Sequence, residues 1–366
     1  MKHSTPYKIA MATVAALLLS GCSSLNSGLV TGDNQVVLAM NLESDTVIGN
    51  VTLPAAAGIT AGLKTPVLTL RGTGVYVSGG DRRTYLLNIN ETAIVLSSAA
   101  PVSIPDDGVV LDTAAANPWM LVRSNPDTSA YALSVNNTLD LRIVVSSVAF
   151  ADFIDQAVVC NDGETVLVRE TARNRIRLFN LDRGGMLSDS GYALTFDALP
   201  IWLVCAPGAT AGAVMFPDGA GASVVSFRID PAAGLVVGDN VVSHAVASGA
   251  MGPINNAIAF AANASGLYLR SSSIVGDDQD GWIERFSFDP ATAALGDTAD
   301  FSVRAGVSYV SGRHQIGVNP AGERIYLPNA FIAGGRVDIF DAVTGANLGH
   351  FSHPEMPNPQ EFIVNK

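Results

Sequence analysis

A closed ring of seven four-stranded antiparallel sheets is the fold that the sequence predicts, and three observations carry it. The chain of 366 residues is 48% hydrophobic and 15% charged, which excludes a disordered chain, a coiled coil and a collagen-like fibre. Its 35 glycines and 18 prolines suit many short strands joined by turns. A unit made of an apolar strand, then an acid or amide, then a turn recurs along the chain. The two chain ends, finally, carry complementary fractions of one such unit.

The units are anchored at Leu42-Glu43, Ile89-Asn90, Val135-Asn136, Leu181-Asp182, Ile229-Asp230, Phe288-Asp289 and Phe340-Asp341, at spacings of 47, 46, 46, 48, 59 and 52 residues. That period fits four short strands per repeat. The acid or amide has a local reason, because its side chain can accept from backbone N–H groups of the turn that follows. A second register agrees. Innermost strands are expected at Thr65–Leu70, Gly108–Asp112, Ala157–Cys160, Trp202–Cys205, Ala257–Phe260, Gln315–Val318 and Glu361–Val364. At the N-terminus, Leu29–Thr31, Gln35–Asn41 and Thr46–Leu53 read as second, third and fourth strands without a first. The last innermost strand has no unit after it, so the end of the chain completes the sheet begun at its start and leaves no open edge. The expected fold is thus an all-β, seven-bladed β-propeller spanning residues 29–366, its ring closed one strand plus three.

The segment before residue 29 reads as an address. Lys2 and Lys8 precede an apolar run from Ile9 to Leu19 that is too short to span a bilayer by itself. Leu19-Ser20-Gly21-Cys22 then resembles the lipobox of bacterial lipoproteins. The resemblance implies a signal peptide over residues 1–21, a lipidated Cys22, and a tether over 22–28 that reaches at most about 20 Å. Ser23 in place of Asp resembles the outer-membrane pattern. The expected location is therefore the cell envelope, lipid-anchored, at the outer membrane and facing the periplasm or the surface. Net charge is −12 for the full chain; residues 1–21 hold two lysines and no acid, so the processed chain carries −14. Such acidity argues against a nucleic-acid partner.

The unit over residues 319–349 carries Gly322, Ile325-Tyr326-Leu327, Asn329, Val337, Ile339, Asp341 and Thr344, and Val75-Tyr76-Val77 matches in part. These residues resemble the repeat of the YVTN/lactonase-like seven-bladed propellers. The resemblance implies the fold for residues 29–366 and suggests a lactonase-like hydrolase acting on a sugar-acid lactone or similar small ester. It carries no catalytic position over onto this chain, and the third to fifth units depart from the pattern.

No nucleophile elbow, zinc-protease helix, Cys-x-x-Cys, P-loop or dinucleotide fingerprint occurs in the sequence. No catalytic residue, metal or cofactor is assigned. Cys160 and Cys205 fall where other units have Phe260, Val318 and Val364, which favours two small buried hydrophobes; a disulfide between neighbouring inner strands stays open if their Cα atoms come within about 7 Å. His350 and His353 would point to opposite faces of a strand. The run Asp277-Asp278-Gln279-Asp280-Gly281 resembles part of a calcium loop but no glutamate closes it.

The remaining candidates come from topology. Residues just before each innermost strand, and those in the hairpins between second and third strands, share one face. They include Asp107, Asp155, Gln156, Asn256, Arg313, His314 and Glu361, with Arg82, Arg83, Arg173 and Arg175 from the hairpins. The expectation is a polar rim in which Arg313 and His314 are the foremost anion or hydrogen-bond donors. The leading functional expectation is a binding or scaffold module for a protein or cell-envelope partner, with the lactonase-like hydrolase as the alternative.

Overall fold

Alternation of apolar and polar residues makes each segment a half-buried strand, and the Asx turns set where each strand reverses. The computed structural model describes residues 26–32, 35–54, 64–68, 74–78, 83–90, 93–98, 101–104, 108–113, 118–127, 130–138, 140–160, 163–218, 221–244, 257–261, 263–275, 278–305, 316–329 and 334–364. These form 28 strands in seven four-stranded antiparallel sheets, with one 3-10 turn at Thr171–Arg173. The chain is a seven-bladed β-propeller.

Blade one joins β28 (Pro359–Val364) to β1 (Ser27–Gly32), β2 (Val36–Asn41) and β3 (Thr46–Thr52). Its closing pairs run Leu29 to Ile363 and Val30 to Phe362, which is the expected one-plus-three closure. Blades two to seven then follow in chain order. Their innermost strands are β4 (Lys64–Leu68), β8 (Val109–Thr113), β12 (Ile154–Cys160), β16 (Trp202–Cys205), β20 (Ala257–Phe260) and β24 (Gly317–Val318), each within a few residues of its expected place.

Seven hydrophobic clusters fill the seven interfaces between blades. Leu29, Val37 and Leu53 meet Val75, Leu87 and Ile94 between blades one and two. Tyr326 and Val337 meet Met40, Phe362 and Val364 across the closure. The other five clusters each pair two consecutive blades in the same way. No blade has a core of its own.

The lower face carries the turns between third and fourth strands, and there the repeated acid or amide does what its position suggested. Asp341 Oδ1 accepts from the N–H groups of Val343 (3.0 Å) and Thr344 (2.7 Å) and from the Thr344 hydroxyl (2.8 Å). Asp230, Asp289, Asp182 and Asn90 cap their turns likewise. Two anchors differ from expectation. In blade one the cap is Asn41 rather than Glu43, because β2 ends at Asn41, two residues before Glu43. In blade three Asn136 is fully buried and its Nδ2 donates to Leu141 O at 2.6 Å, so it braces the turn from inside. The end of the turn takes a left-handed backbone, at Gly345 with φ of 73° and Gly234 with φ of 77°, which explains the glycine after Thr344.

The same turns receive bonds from the preceding blade. Tyr268 Oη donates to Ala342 O at 2.8 Å, one residue beyond Asp341. Tyr326 Oη reaches Leu42 O (3.4 Å) and Asp45 Oδ1 (2.8 Å), and Tyr76 Oη donates to Thr138 O. In blade three, which lacks the tyrosine, Trp119 Nε1 donates to Arg183 O at 3.2 Å. The tyrosine of the repeat is thus a strut whose acceptor is the carbonyl just past the next blade's turn residue. Burial pushes the Tyr268 and Tyr326 hydroxyls above the ordinary tyrosine pKa, and Asp45 adds to the effect on Tyr326.

Inner strands β8, β12 and β16 are laced together as well. Asp112 Oδ2 accepts from Val159 N–H at 2.8 Å, and Gln156 Nε2 donates to Leu203 O at 2.7 Å. Cys160 and Cys205 are joined by a disulfide with their Cα atoms 5.6 Å apart. This corrects the expectation of two separate buried thiols. The hydrophobic equivalents in other blades obscured the pairing, since a half-cystine and a small apolar residue fill the same slot.

Two tests follow from these turns and struts. Tyr268→Phe leaves the Ala342 carbonyl without its donor and should lower urea-unfolding stability by about 1 kcal/mol, and Tyr326→Phe by about 2 kcal/mol because both the Leu42 carbonyl and the Asp45 side chain lose a donor. Backbone donors to Asp230 and Asp341, and the Thr292 hydroxyl to Asp289, hold these carboxyls below their ordinary pKa. A depressed folded pKa contributes stability that is complete above the unfolded value, about 3.9, and is lost as pH falls through the folded value. The thermal midpoint should therefore stay level from pH 7 to about pH 5 and drop below about pH 4, with a shallower acid limb in Asp341→Asn.

Candidate functional site on the upper face

The upper face carries the hairpins between second and third strands and the connections into each innermost strand. Of the residues expected there, Asp107, Asn256, Arg82, Arg313 and His314 lie outside the described residues. Asp155 is placed only as a backbone position in β12, and Arg83 is exposed at the start of β6 (Thr84–Ile89). Gln156 and Glu361 are buried, at 7% and 2% exposure, instead of standing on an open rim. Glu361 sits opposite Thr31 in the closing strand pair. The Gln156 amide is turned into the interface with blade five.

That inward turn is part of a pattern. Arg123 in β9 (Trp119–Asp127) donates to Ile154 O of blade four at 3.1 Å, and Arg169 in β13 (Thr165–Glu170) donates to Pro200 O of blade five at 3.0 Å. Both arginines occupy equivalent positions, paired across from the innermost strand at Val109 and Gln156. In blade six the same position is Arg270, which is 1% exposed. Burial pushes its pKa down to about 10, while Asp338 of blade seven favours its charge. Arg123 and Arg169 are therefore frame: they tie the upper ends of adjacent blades as the tyrosines tie the lower ends.

One described part of the upper face that offers polar groups outward is the crest of blades three and four. Its hairpin joins β13 to β14 (Arg175–Leu181) through the 3-10 turn, with Asn174 in the left-handed region at φ of 48°. Glu170, 2% exposed, accepts from Arg177 Nη1 at 2.9 Å and from Arg175 Nε. Arg177 also bonds Asp189 and lies 4.8 Å from the Phe179 ring centroid and 5.4 Å from that of Phe150. Burial works against the Arg177 charge, yet Glu170 and Asp189 keep its pKa above the ordinary arginine value. Burial likewise would raise the Asp189 carboxyl, but the Gly191 N–H and Arg177 hold it below its usual value.

Beside this network Arg173 Nε reaches Asp152 Oδ2 at 2.7 Å, with the Arg173 side chain 52% exposed. Arg123 lies 4.8 Å over the Phe153 ring, which meets Tyr131 edge-on at 5.2 Å. The crest thus presents a fixed arginine, a carboxylate and two aromatic rings on a rigid base. Such a set can take hydrogen bonds, a negative group and an apolar edge together. The sequence had singled out Arg173 and Arg175 but not Glu170, Arg177 or Asp152. Arginines at alternate positions 173, 175 and 177, with a glutamate three residues before the first, were the available signal.

Elsewhere, His350 is exposed on β27 (Asn347–Phe351), and His353 Nδ1 accepts from Glu355 N–H at 3.3 Å in the loop after it. Asp277 lies outside the described residues, and β22 (Asp278–Asp289) begins directly after it. Among the described residues no group of three His, Cys, Asp or Glu could hold a metal ion.

No sequence-family profile and no curated protein matches the chain. Solved structures do. A protein of unknown function from Desulfotomaculum acetoxidans is 13% identical, with 93% of this chain and 98% of that one covered and a TM-score of 0.70. The periplasmic gluconolactonase of Pseudomonas aeruginosa is 12% identical, over 93% and 99%, with a TM-score of 0.64. A 6-phosphogluconolactonase candidate from Bacteroides uniformis is 15% identical, over 92% and 98%, with a TM-score of 0.62. What these proteins share with the chain is the fold.

Breaking the crest from beneath should be costly. Glu170→Ala strands Arg175 and Arg177 in a half-buried site and should lower stability by about 3 kcal/mol in urea unfolding, whereas Glu170→Gln should cost less.

Proposed function

We propose that the protein is a lipid-anchored propeller of the bacterial cell envelope whose upper face binds a protein or another envelope component. The observation that carries this reading is the crest of blades three and four, where Arg173 pairs with Asp152 and Phe153 meets Tyr131, beside a buried Glu170–arginine network. The address rests on the lipobox-like residues before Cys22, and the Cys160–Cys205 disulfide supports an oxidising compartment. Asn26 lies on the lower face, where its carbonyl accepts from Leu42 N–H at 2.9 Å, so a tether from Cys22 would leave the upper face directed away from the membrane.

A second reading is favoured by one observation, the likeness of nearly the whole chain to the gluconolactonase from Pseudomonas aeruginosa. In that reading the upper mouth of the ring hydrolyses a lactone, with Arg313 and His314 as the sequence's best donors.

Mild crosslinking in cells, followed by co-purification and mass spectrometry, separates the two. A stoichiometric partner that is lost in Arg173→Glu supports the binding reading. A solitary wild-type protein that turns over sugar-acid lactones, with turnover lost on Arg313→Ala and His314→Ala, overturns it in favour of the hydrolase.

A further inference from the structure

Four large apolar side chains stand more than half exposed at the lower turns or directly beside them. Val343 (67%) is in the turn of blade seven, Leu348 (53%) opens its outer strand, Met186 (54%) is in the turn of blade four, and Ile143 (52%) ends that of blade three. Val343 and Leu348 belong to blade seven, the neighbour of blade one where the chain enters, and Ile143 and Met186 belong to blades three and four across the ring. Ile143 and Met186 also share one seam. The turn residue Gly185 sits against Trp119 and Val145 of blade three, and its carbonyl accepts from the Ser146 hydroxyl at 2.6 Å.

The chain that precedes the described residues ends on this same face. Asn26 is fixed beside Leu42, and only four peptide units separate it from Cys22, a reach of at most about 14 Å. Acyl chains on Cys22 would therefore bring the lower turns to the lipid headgroups. Several charges of this face are already engaged. Asp140 pairs with Arg142 and Asp230 with Arg228, while the Asp289 and Asp341 carboxylates are fastened in their own turns. Those carboxylates stay ionised, which favours a zwitterionic surface over a strongly anionic one.

We propose that the lower face docks flat on a zwitterionic bilayer, with Val343 and Leu348 entering the interface near the tether and Ile143 and Met186 entering it across the ring. The proposal rests on the lipid anchor of the preceding section, and it turns a flexible tether into a fixed orientation. The apolar side chains supply the contact and the acyl chains hold it at the surface.

The test is hydrogen exchange on the processed protein in phosphatidylcholine vesicles and in detergent-free solution. Exchange in segments 140–144, 183–187 and 342–348 should slow by about fivefold on vesicles, with the hairpin at 171–174 unchanged. A chain carrying Ile143→Glu, Met186→Glu and Val343→Glu should lose that protection while keeping its thermal midpoint, since all three sites are exposed. Equal exchange with and without vesicles, or protection that moves to 171–174, overturns the proposal. The anchor is read separately, by the mass of Cys22 in the native protein. If Cys22 proves unacylated, coupling its thiol to a maleimide lipid still decides the docking by the same exchange pattern.

Discussion

A propeller blade buries both faces of its sheet only against its neighbours, and that constraint governs this molecule. All seven hydrophobic clusters straddle two blades, so each blade owes its core to the one before and the one after. An open chain of blades would expose two apolar sheet faces at its ends. The pairing of β28 with β1 removes both, and the stack of Tyr326 on Phe362, with ring centroids 4.7 Å apart, seals the joint from the blade-seven side. Closure by strand pairing links residues 28 and 364, which makes the first and last described strands mutually dependent.

Apolar packing alone fixes how closely blades approach but not how they are rotated about the axis. Hydrogen bonds at both ends of the blades fix the rotation. Tyr76, Tyr268, Tyr326 and Trp119 grip the turns below, and Arg123 and Arg169 grip the entering strands above. Each donor satisfies a backbone carbonyl of the next blade, and where that carbonyl is buried, as at Ala342, its loss costs both a bond and a buried acceptor. Arg123 and Arg169 are thereby committed to the frame, and the crest around Arg173 lies outside them.

The architecture was legible because its determinants are local and repeated. An Asp before a Thr-Gly turn, as at Asp341, works through its own backbone, and a closing strand is visible as an unmatched remainder at each chain end. Asn41 and Asn136 were harder, because an amide can cap a turn from the strand end or brace it from within, and the residue type does not say which. The disulfide was masked by the equivalence of its positions to buried valine and phenylalanine. The crest was only half legible. Arg173 and Arg175 follow from topology, but Glu170 lies at the end of a fully buried strand, and its role depends on three side chains converging in space.

Polar residues near a propeller channel invite a functional reading, and this ring shows why position alone does not license it. Gln156 sits where a ligand-facing amide was expected, yet its N–H joins blade four to blade five. Glu361 sits where a rim carboxylate was expected, yet it is sealed beside the closing strand pair. Both belong to innermost strands, where the blades crowd most closely and a side chain is drawn toward the neighbouring backbone. Farther out the blades diverge, and a hairpin side chain such as Arg173 can stay half exposed while its base is pinned. For these residues, a place in an innermost strand or in an outer hairpin therefore decides between burial in the frame and exposure more sharply than chemical type does.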